Sequence, residues 1–250
     1  MAREKRILRV WLGLARSLVI YNNPVRSIPL RRFYRSLLSR GDLAFDVGAH
    51  VGTRARAMRA AGARVIAIEP QTPFSTFLRH SLPRDITLVE AALGPKETVA
   101  EMAVSTLHPT VSSLQPGFAD AAVRAPGFGH VRWDRRQQVR VTTLDRLIAQ
   151  YGMPAYVKID VEGFELAVLS GLSSPVPLLS VEYLPAMPDA THEVINHLMT
   201  LGPYRFNPVQ GEDGRFLWPD WRDGGTTQDW LRSLPRDARS GDLYARLPKT

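Results

Sequence analysis

Two groups of residues in this sequence have the types and spacing to do chemistry. The first begins with Leu43-Ala-Phe-Asp-Val-Gly-Ala-His-Val-Gly-Thr53, where an apolar run ends in Asp46 and two glycines, Gly48 and Gly52, lead into a helical pattern at Thr53. Glycine has no Cβ, so the main chain there can turn sharply and lie close to a ligand. The unpaired N–H groups at the start of the following helix face that ligand. Ala49 and His50 stand where a dinucleotide fingerprint has its second glycine, the one that a pyrophosphate approaches. The pattern suits a nucleoside ligand without a pyrophosphate, although an ordinary strand-to-helix turn uses the same residues. Glu69-Pro70 ends the next apolar run, Arg64–Ile68. An acid there, about 20 residues after the loop, can accept hydrogen bonds from both ribose hydroxyls. The second group is Tyr156-Val-Lys-Ile-Asp160 with Leu178-Leu-Ser-Val-Glu182. It offers Asp160 and Glu182 as carboxylates at strand ends, and Lys158 two residues from Asp160, on the same side of its strand. A lysine in so apolar a strand needs a partner or solvent access.

Alternating strands and helices must position these groups. Residues 41–94 read as strand, helix, strand, helix, strand, with the helices over Thr53–Ala61 and Thr72–His80 and the third strand over Ile86–Val89. Val99–Val104 and Gln138–Val141 read as strands, and Thr142–Ile148 as a short helix capped by Thr142 or Thr143. Strands at Tyr156–Asp160 and Leu178–Glu182, a helix over His192–Leu201, and strands at Tyr204–Phe206, Phe216–Leu217 and Leu243–Arg246 complete the pattern. This predicts a doubly wound, mostly parallel α/β sheet covered on both faces, with ligands outside the carboxyl ends of its strands. Asp46, Asp160 and Glu182 all fall at such ends. The segment 105–140 interrupts the alternation and reads as a lid or a solvated insertion. Its Arg124, Arg132, Arg135, Arg136, His130, Phe128 and Trp133 suit an anionic or sugar-bearing substrate.

The absence of cysteine excludes disulfides, zinc–thiolate sites and cysteine nucleophiles, and is compatible with a reducing cytoplasm. Residues 1–40 hold ten basic side chains and one acid, a net +9 that exceeds the +8 of the whole chain. Basicity is therefore an N-terminal property, not one of the cleft, and does not point to nucleic acid. Arg9 and Arg16 interrupt the first apolar run, which reads as neither a signal peptide nor a membrane span. It is instead a basic amphipathic helix, either packed on the domain or lying on an anionic membrane surface through residues 1–20. Asn22-Asn-Pro24 is expected to break it, with a second helix over Pro29–Ser39.

Taken in order, Asp46-Val-Gly-Ala-His-Val-Gly-Thr53, Glu69-Pro70, Thr143-Leu-Asp145, Lys158-Ile-Asp-Val-Glu-Gly-Phe-Glu165 and Ser180-Val-Glu182 resemble the FkbM family of S-adenosylmethionine-dependent methyltransferases over about residues 43–208. His50 stands where the family often has asparagine. The resemblance implies a seven-stranded, Rossmann-like methyltransferase sheet and methyl transfer to an oxygen of a sugar, glycolipid or polyketide. It implies that Asp46, Gly48 and Gly52 hold the methionine end of the cofactor, on a loop that also includes Ala49, His50 and Thr53. Glu69, followed by Pro70, would bind the ribose, Glu90 and Ala91 would flank the adenine, and Asp160 would lie near the transferred methyl. A sugar hydroxyl is a poor nucleophile and needs a base. Asp160 is the first candidate and Glu182 the second, with His50, His108 and His130 as alternatives. Glu162 and Lys158 would position substrate, or else serve as a cap and an ion-pair partner. Paired acids could also hold magnesium, as in some sugar methyltransferases, but no ligand spacing demands a metal, so none is expected.

The expected organisation is a basic helical extension over 1–40, a cofactor-binding domain over 41–208 and a C-terminal appendage over 209–250 that completes the sheet. The leading reading is a cytoplasmic O-methyltransferase acting on a small-molecule or lipid-linked sugar. Methylation of a secondary metabolite and a non-catalytic cofactor-binding subunit are the competing readings. A nicotinamide dehydrogenase is disfavoured by the missing glycine.

Overall fold

The computed structural model describes residues 24–105, 112, 114, 132–211 and 213–248, with side chains from residue 28 onward. The expected membrane contact through residues 1–20, together with His108, Arg124, Phe128 and His130, lies outside the described residues.

Helix α1 (Pro24–Leu37) precedes strand β1 (Leu43–Val47), helix α2 (Thr53–Ala60), strand β2 (Arg64–Ile68), helix α3 (Phe74–Ser81) and strand β3 (Ile86–Val89). Three strands follow, β4 (Ala92–Leu93), β5 (Thr98–Val104) and β6 (Arg135–Thr142), and then helix α4 (Leu144–Tyr151). The chain continues through β7 (Tyr156–Ile159), α5 (Glu165–Leu169), β8 (Leu178–Tyr183), α6 (Pro188–Leu201), β9 (Arg205–Gln210), α7 (Gly224–Ser233) and β10 (Gly241–Arg246). Local chemistry sets several of these bounds. The Thr143 hydroxyl accepts the Arg146 N–H at the start of α4, and Gly152 ends that helix at φ 101°. Pro188 opens α6 and Gly202 closes it.

The main sheet has seven strands in the order β3-β2-β1-β7-β8-β10-β9. β3 to β8 run parallel, and β10 is antiparallel to both of its neighbours. β1 and β7 are buried along their whole length, as parallel central strands must be. On one face Leu43, Phe45, Val47, Val157, Ile159, Leu179 and Val181 pack against Leu144, Val168, Ile195, Leu198 and Leu231 from α4 to α7. On the other, Ala44, Val65, Ala67, Tyr156 and Tyr244 pack against Phe33, Tyr34 and Leu38 at α1, and against Ala57, Met58 and Leu78 of α2 and α3. The crossovers from β1 leave toward β2 on one side, while β7 lies on the other, so the sheet has its topological switch point between β1 and β7. A second sheet, in the order β4-β6-β5, covers the β2–β3 end. Gln137 of β6 ties it down, donating to the Pro70 carbonyl and accepting from the Thr72 N–H.

Four expectations change. Pro24 opens α1, where its fixed φ and missing N–H suit a first turn. Phe216 and Leu217 are not a strand, and Phe216 packs edge-on against Phe33 and Tyr244. The polar stretch after them contains helix α7, capped by Asp223, whose carboxylate accepts the Thr226 N–H. The expected boundary at 208 falls inside β9.

Candidate active site

A cavity of about 350 Å³ opens at the carboxyl ends of β1, β2, β7 and β8. Asp46, Gly48, Ala49, His50, Thr53, Glu69, Pro70, Ala91, Asp160, Glu162 and Glu182 all line it. Gly52, Glu90 and Lys158 are not among the lining residues, and each has another task. Gly52 sits at φ 77°, and a Cβ there would press on Arg56, Leu78 and Leu82, so this glycine permits the turn and its packing. Glu90 is exposed and holds a bidentate pair with Arg79 at 2.9 and 2.6 Å. Lys158 lies beneath the cavity floor. Of the insertion, Ser112 and Leu114 reach the cavity, whereas Arg132, Trp133, Arg135 and Arg136 do not line it.

At one end, Glu69 is fixed by two main-chain donors. Its carboxylate oxygens accept the His50 N–H and the Gln71 N–H, each at 2.8 Å. Burial dominates these bonds and raises its pKa to about 7. His50 adopts φ 50°, its ring lies 4.2 Å from that of Phe74, and burial lowers its pKa to about 4, so the imidazole is neutral at pH 7. Gly48 (φ 82°) is required by the protein itself, because a Cβ would land on the Asp160 carbonyl oxygen. Ala91, Ala92, Leu93, Met102 and Phe74 make apolar walls. Two buried polar atoms at this end have no protein partner, Asp46 Oδ2 and Gln71 Nε2. Asp46 is only 1% exposed. A buried acceptor and a buried donor left open in this way carry a cost unless a ligand meets them.

At the other end a row of acids crosses three strands. Lys158 pairs in register with Asp46 on β1 and Ser180 on β8. Two residues further along, Asp160 comes beside Glu182, and Glu182 pairs in register with Asp242 on β10. Glu162, at φ 54° in the turn after β7, joins them, so that Asp160, Glu162 and Glu182 offer oxygens within 4.8 Å of one another. No metal is expected from the ligand spacing, although paired acids could hold magnesium; the fold gathers an oxygen set that a divalent ion could span. The turn that carries Glu162 is braced by Glu165, the first residue of α5, which accepts the Val161 and Gly163 N–H groups.

The acids differ in their partners. The Lys158 ammonium donates to Asp160 Oδ2 at 2.7 Å. Burial opposes both charges, but each overcomes that for the other, so Lys158 is held above its usual pKa and Asp160 below. Arg54, which also lines the cavity, pairs with Asp242 at 3.7 Å. Glu182 stands between these two ion pairs. Burial first, and then the neighbouring Glu162 and Asp160, push its pKa well above the carboxylate range. Arg54, Gln71 and Asp242 were not foreseen from sequence. Arg54 follows the glycine loop directly, but Asp242 has no motif around it, and only strand pairing brings it to the site.

Residues 46–203 match the family of the methyltransferase FkbM domain. The chain belongs to the FkbM methyltransferase family. No curated sequence is similar enough to match. Among solved structures, this FkbM protein is similar to a TehB-like S-adenosylmethionine-dependent methyltransferase from Corynebacterium glutamicum, at 10% identity and a TM-score of 0.47, covering 99% of each chain. It is also similar to an O-methyltransferase from Bacillus cereus in complex with SAH, at 10% identity and 0.44, covering 94% of this chain and 90% of that one. A third is the precorrin-6Y C5,15-methyltransferase from Geobacter metallireducens, at 14% identity and 0.44, covering 90% and 88%. As an FkbM methyltransferase, the protein uses S-adenosylmethionine. The cavity fits that cofactor on its own terms. Asp46 Oδ2 is an open acceptor for an ammonium group, Glu69 has lone pairs left for hydroxyls, Gln71 Nε2 is an open donor, and the apolar walls suit a flat base.

Proposed function

We infer that this FkbM methyltransferase transfers its methyl group to a hydroxyl of a sugar or glycolipid, at the cytoplasmic face of a membrane. The observation that carries this reading is the continuity of the cavity, which runs from Glu69 and Asp46 to the row Asp160–Glu182–Asp242. A polyhydroxylated acceptor can donate several hydrogen bonds to such a row.

In this reading Asp46 takes the ammonium of the cofactor, Glu69 and Gln71 take its ribose end, and Ala91 and Ala92 give the base room. S-adenosylmethionine, when bound, supplies an activated methyl on a good leaving group. The protein's work is then to orient the acceptor oxygen and remove its proton. Asp160 was the first candidate for that base. Its carboxylate, however, is held ionised by Lys158 at 2.7 Å, which lowers its affinity for a proton. Glu182 is the stronger base once ionised, because burial and the neighbouring Glu162 and Asp160 raise its proton affinity; below that raised pKa it is already protonated, so this route runs only at pH above it. With the cofactor held by Asp46, Glu69 and Gln71, the ionised Glu182 carboxylate would take the proton that the acceptor hydroxyl gives up on receiving the methyl group. Lys158 keeps Asp160 a fixed anion at the transfer point.

The test is calorimetric titration with S-adenosylhomocysteine on wild type and Glu69→Ala, followed by transfer of labelled methyl from S-adenosylmethionine to a panel of neutral sugars and polyketide alcohols. Binding lost in the variant, with label on a sugar oxygen, supports the reading. Label found only on a polyketide or on carbon overturns the substrate class, and absence of binding removes the site assignment.

A further inference from the structure

Helix α1 covers the sheet with Phe33 and Tyr34, and just beyond its last turn Leu38 does the same; its opposite face is open to solvent. Ile28, Arg31, Arg32, Arg35 and Ser36 are exposed at the three- and four-residue spacing of a single helical stripe. Residues 24–40 hold five arginines and no acid. Among the described residues, Arg31, Arg32 and Arg35 form no ion pair, and Arg35 reaches only the Ala60 carbonyl at 3.5 Å. The next acid along the chain, Asp42, has its carboxylate on the Ser39 N–H. Ile28 is 54% exposed, an uncommon position for isoleucine on a charged helix. Between Ile28 and Arg31, Leu30 is half-buried and lines the same cavity as Glu182, Gly211, Ser240, Gly241 and Asp242.

We propose that this arginine stripe is a docking surface for an anionic lipid bilayer, and that it seats the acceptor end of the cavity against the membrane. Charge complementarity selects an anionic partner. The exposed Ile28 selects a bilayer over a nucleic acid, since a bilayer takes an apolar side chain among arginines. The stripe also offers no exposed aromatic ring on which a base could stack, as Phe33 and Tyr34 are both buried. This inference rests on the lipid-linked form of the acceptor proposed above. With α1 on the surface, a sugar carried by a lipid enters beside Leu30 without its anchor leaving the bilayer.

The experiment is flotation of the full chain with vesicles of phosphatidylcholine alone and with added phosphatidylglycerol. A variant carrying Arg31→Gln, Arg32→Gln and Arg35→Gln is run alongside, as is Ile28→Ser. The wild type is expected on the anionic vesicles only, with binding that weakens as salt is raised. The triple variant should lose about a hundredfold in affinity, and Ile28→Ser should lose less. All variants should keep the wild-type melting temperature and S-adenosylhomocysteine affinity, because these side chains are exposed. No binding to anionic vesicles overturns the proposal, as does full binding by the triple variant. Tighter binding to an RNA or DNA duplex than to vesicles at the same salt overturns it in favour of nucleic acid. The parallel titration separates the two readings, since the cofactor site can stand or fall without the vesicle result.

Discussion

Asp242 on β10 lies directly opposite Glu182 on β8, so the one antiparallel strand of the main sheet delivers a carboxylate to the acidic end of the cavity. Arg54, from the first turn after the glycine loop, answers that charge. The cofactor loop and the far end of the chain are thereby joined across the site.

Removing Asp242 should therefore be felt at Arg54. With Asp242→Asn, the guanidinium loses its ion-pair partner, and a new pairing with Glu182 would compete with the role of base proposed for it. Turnover on whichever acceptor the labelling panel identifies should fall about tenfold or more, while S-adenosylhomocysteine affinity changes little. Equal loss of both would mean that the pair serves the cofactor instead.

Asp160→Asn tests the catalytic role poorly by itself. It strands the Lys158 ammonium, which is only 1% exposed, although Asp160 itself is 33% exposed, so the loss should fall below the about 3–5 kcal/mol of a fully buried pair. The single variant should melt well below wild type, and so should Lys158→Met. The double variant Asp160→Asn with Lys158→Met should recover much of that loss. Recovery of stability without recovery of turnover would assign Asp160 a function beyond holding Lys158, and additive losses would show that the two do not interact.

Glu69 predicts a pH dependence of cofactor binding. Its pKa of about 7 in the free protein means that it is protonated below that pH. Hydroxyl donors prefer the ionised form, so affinity for S-adenosylhomocysteine should rise as pH climbs toward 7 and level off above it. Glu69→Gln should flatten the profile. The stability of the free protein has the opposite sign. Glu69 and Glu165 both have folded pKa values raised above 4.5, and the stability that they contribute is present in full below that value and is lost as pH rises through 7. Melting of the free protein between about pH 5 and about pH 8, with Glu69→Gln as the control, measures this effect.

Gly48→Ala should destabilise the protein by about 3 kcal/mol. The added methyl meets the Asp160 main chain, and the backbone at φ 82° resists any side chain. Gly41→Ala is the informative control. It has a similar φ of 90° but nothing within 4 Å, so it should carry the conformational penalty alone, about 1 kcal/mol.

Much of this architecture is legible in the sequence where a short stretch decides its own structure. The strand Ile86–Val89 and the loop from Asp46 to Thr53 carry their own signals in β-branched runs and glycines, and both lie where the pattern puts them. Glu69 and Glu182 could be found because strand ends are easy to read. Glu90 reads the same way but lies on the surface, because its strand ends at Val89 and the pair with Arg79 draws its side chain outward. Gln71 follows a proline in a loop with no pattern, and Asp242 depends on which strands pair, a matter of tertiary packing. Helix α7 was missed because its sequence, Gly224-Gly-Thr-Thr-Gln-Asp, is poor in helix formers, and it owes its order to the Asp223 cap and to packing by Leu231 and Trp230.

The position of β10 between β8 and β9 has a consequence for how the chain is made. During synthesis β9 emerges well before β10, with α7 between them, and its only ladder in the main sheet is to β10. A nascent chain can assemble β1 to β8 as they appear, but β9 has to wait as an unpaired edge until β10 slots in. The last step of assembly is therefore also the step that brings Asp242 to Glu182 and Arg54, so an incomplete chain can present the cofactor loop before it has an acceptor site to match.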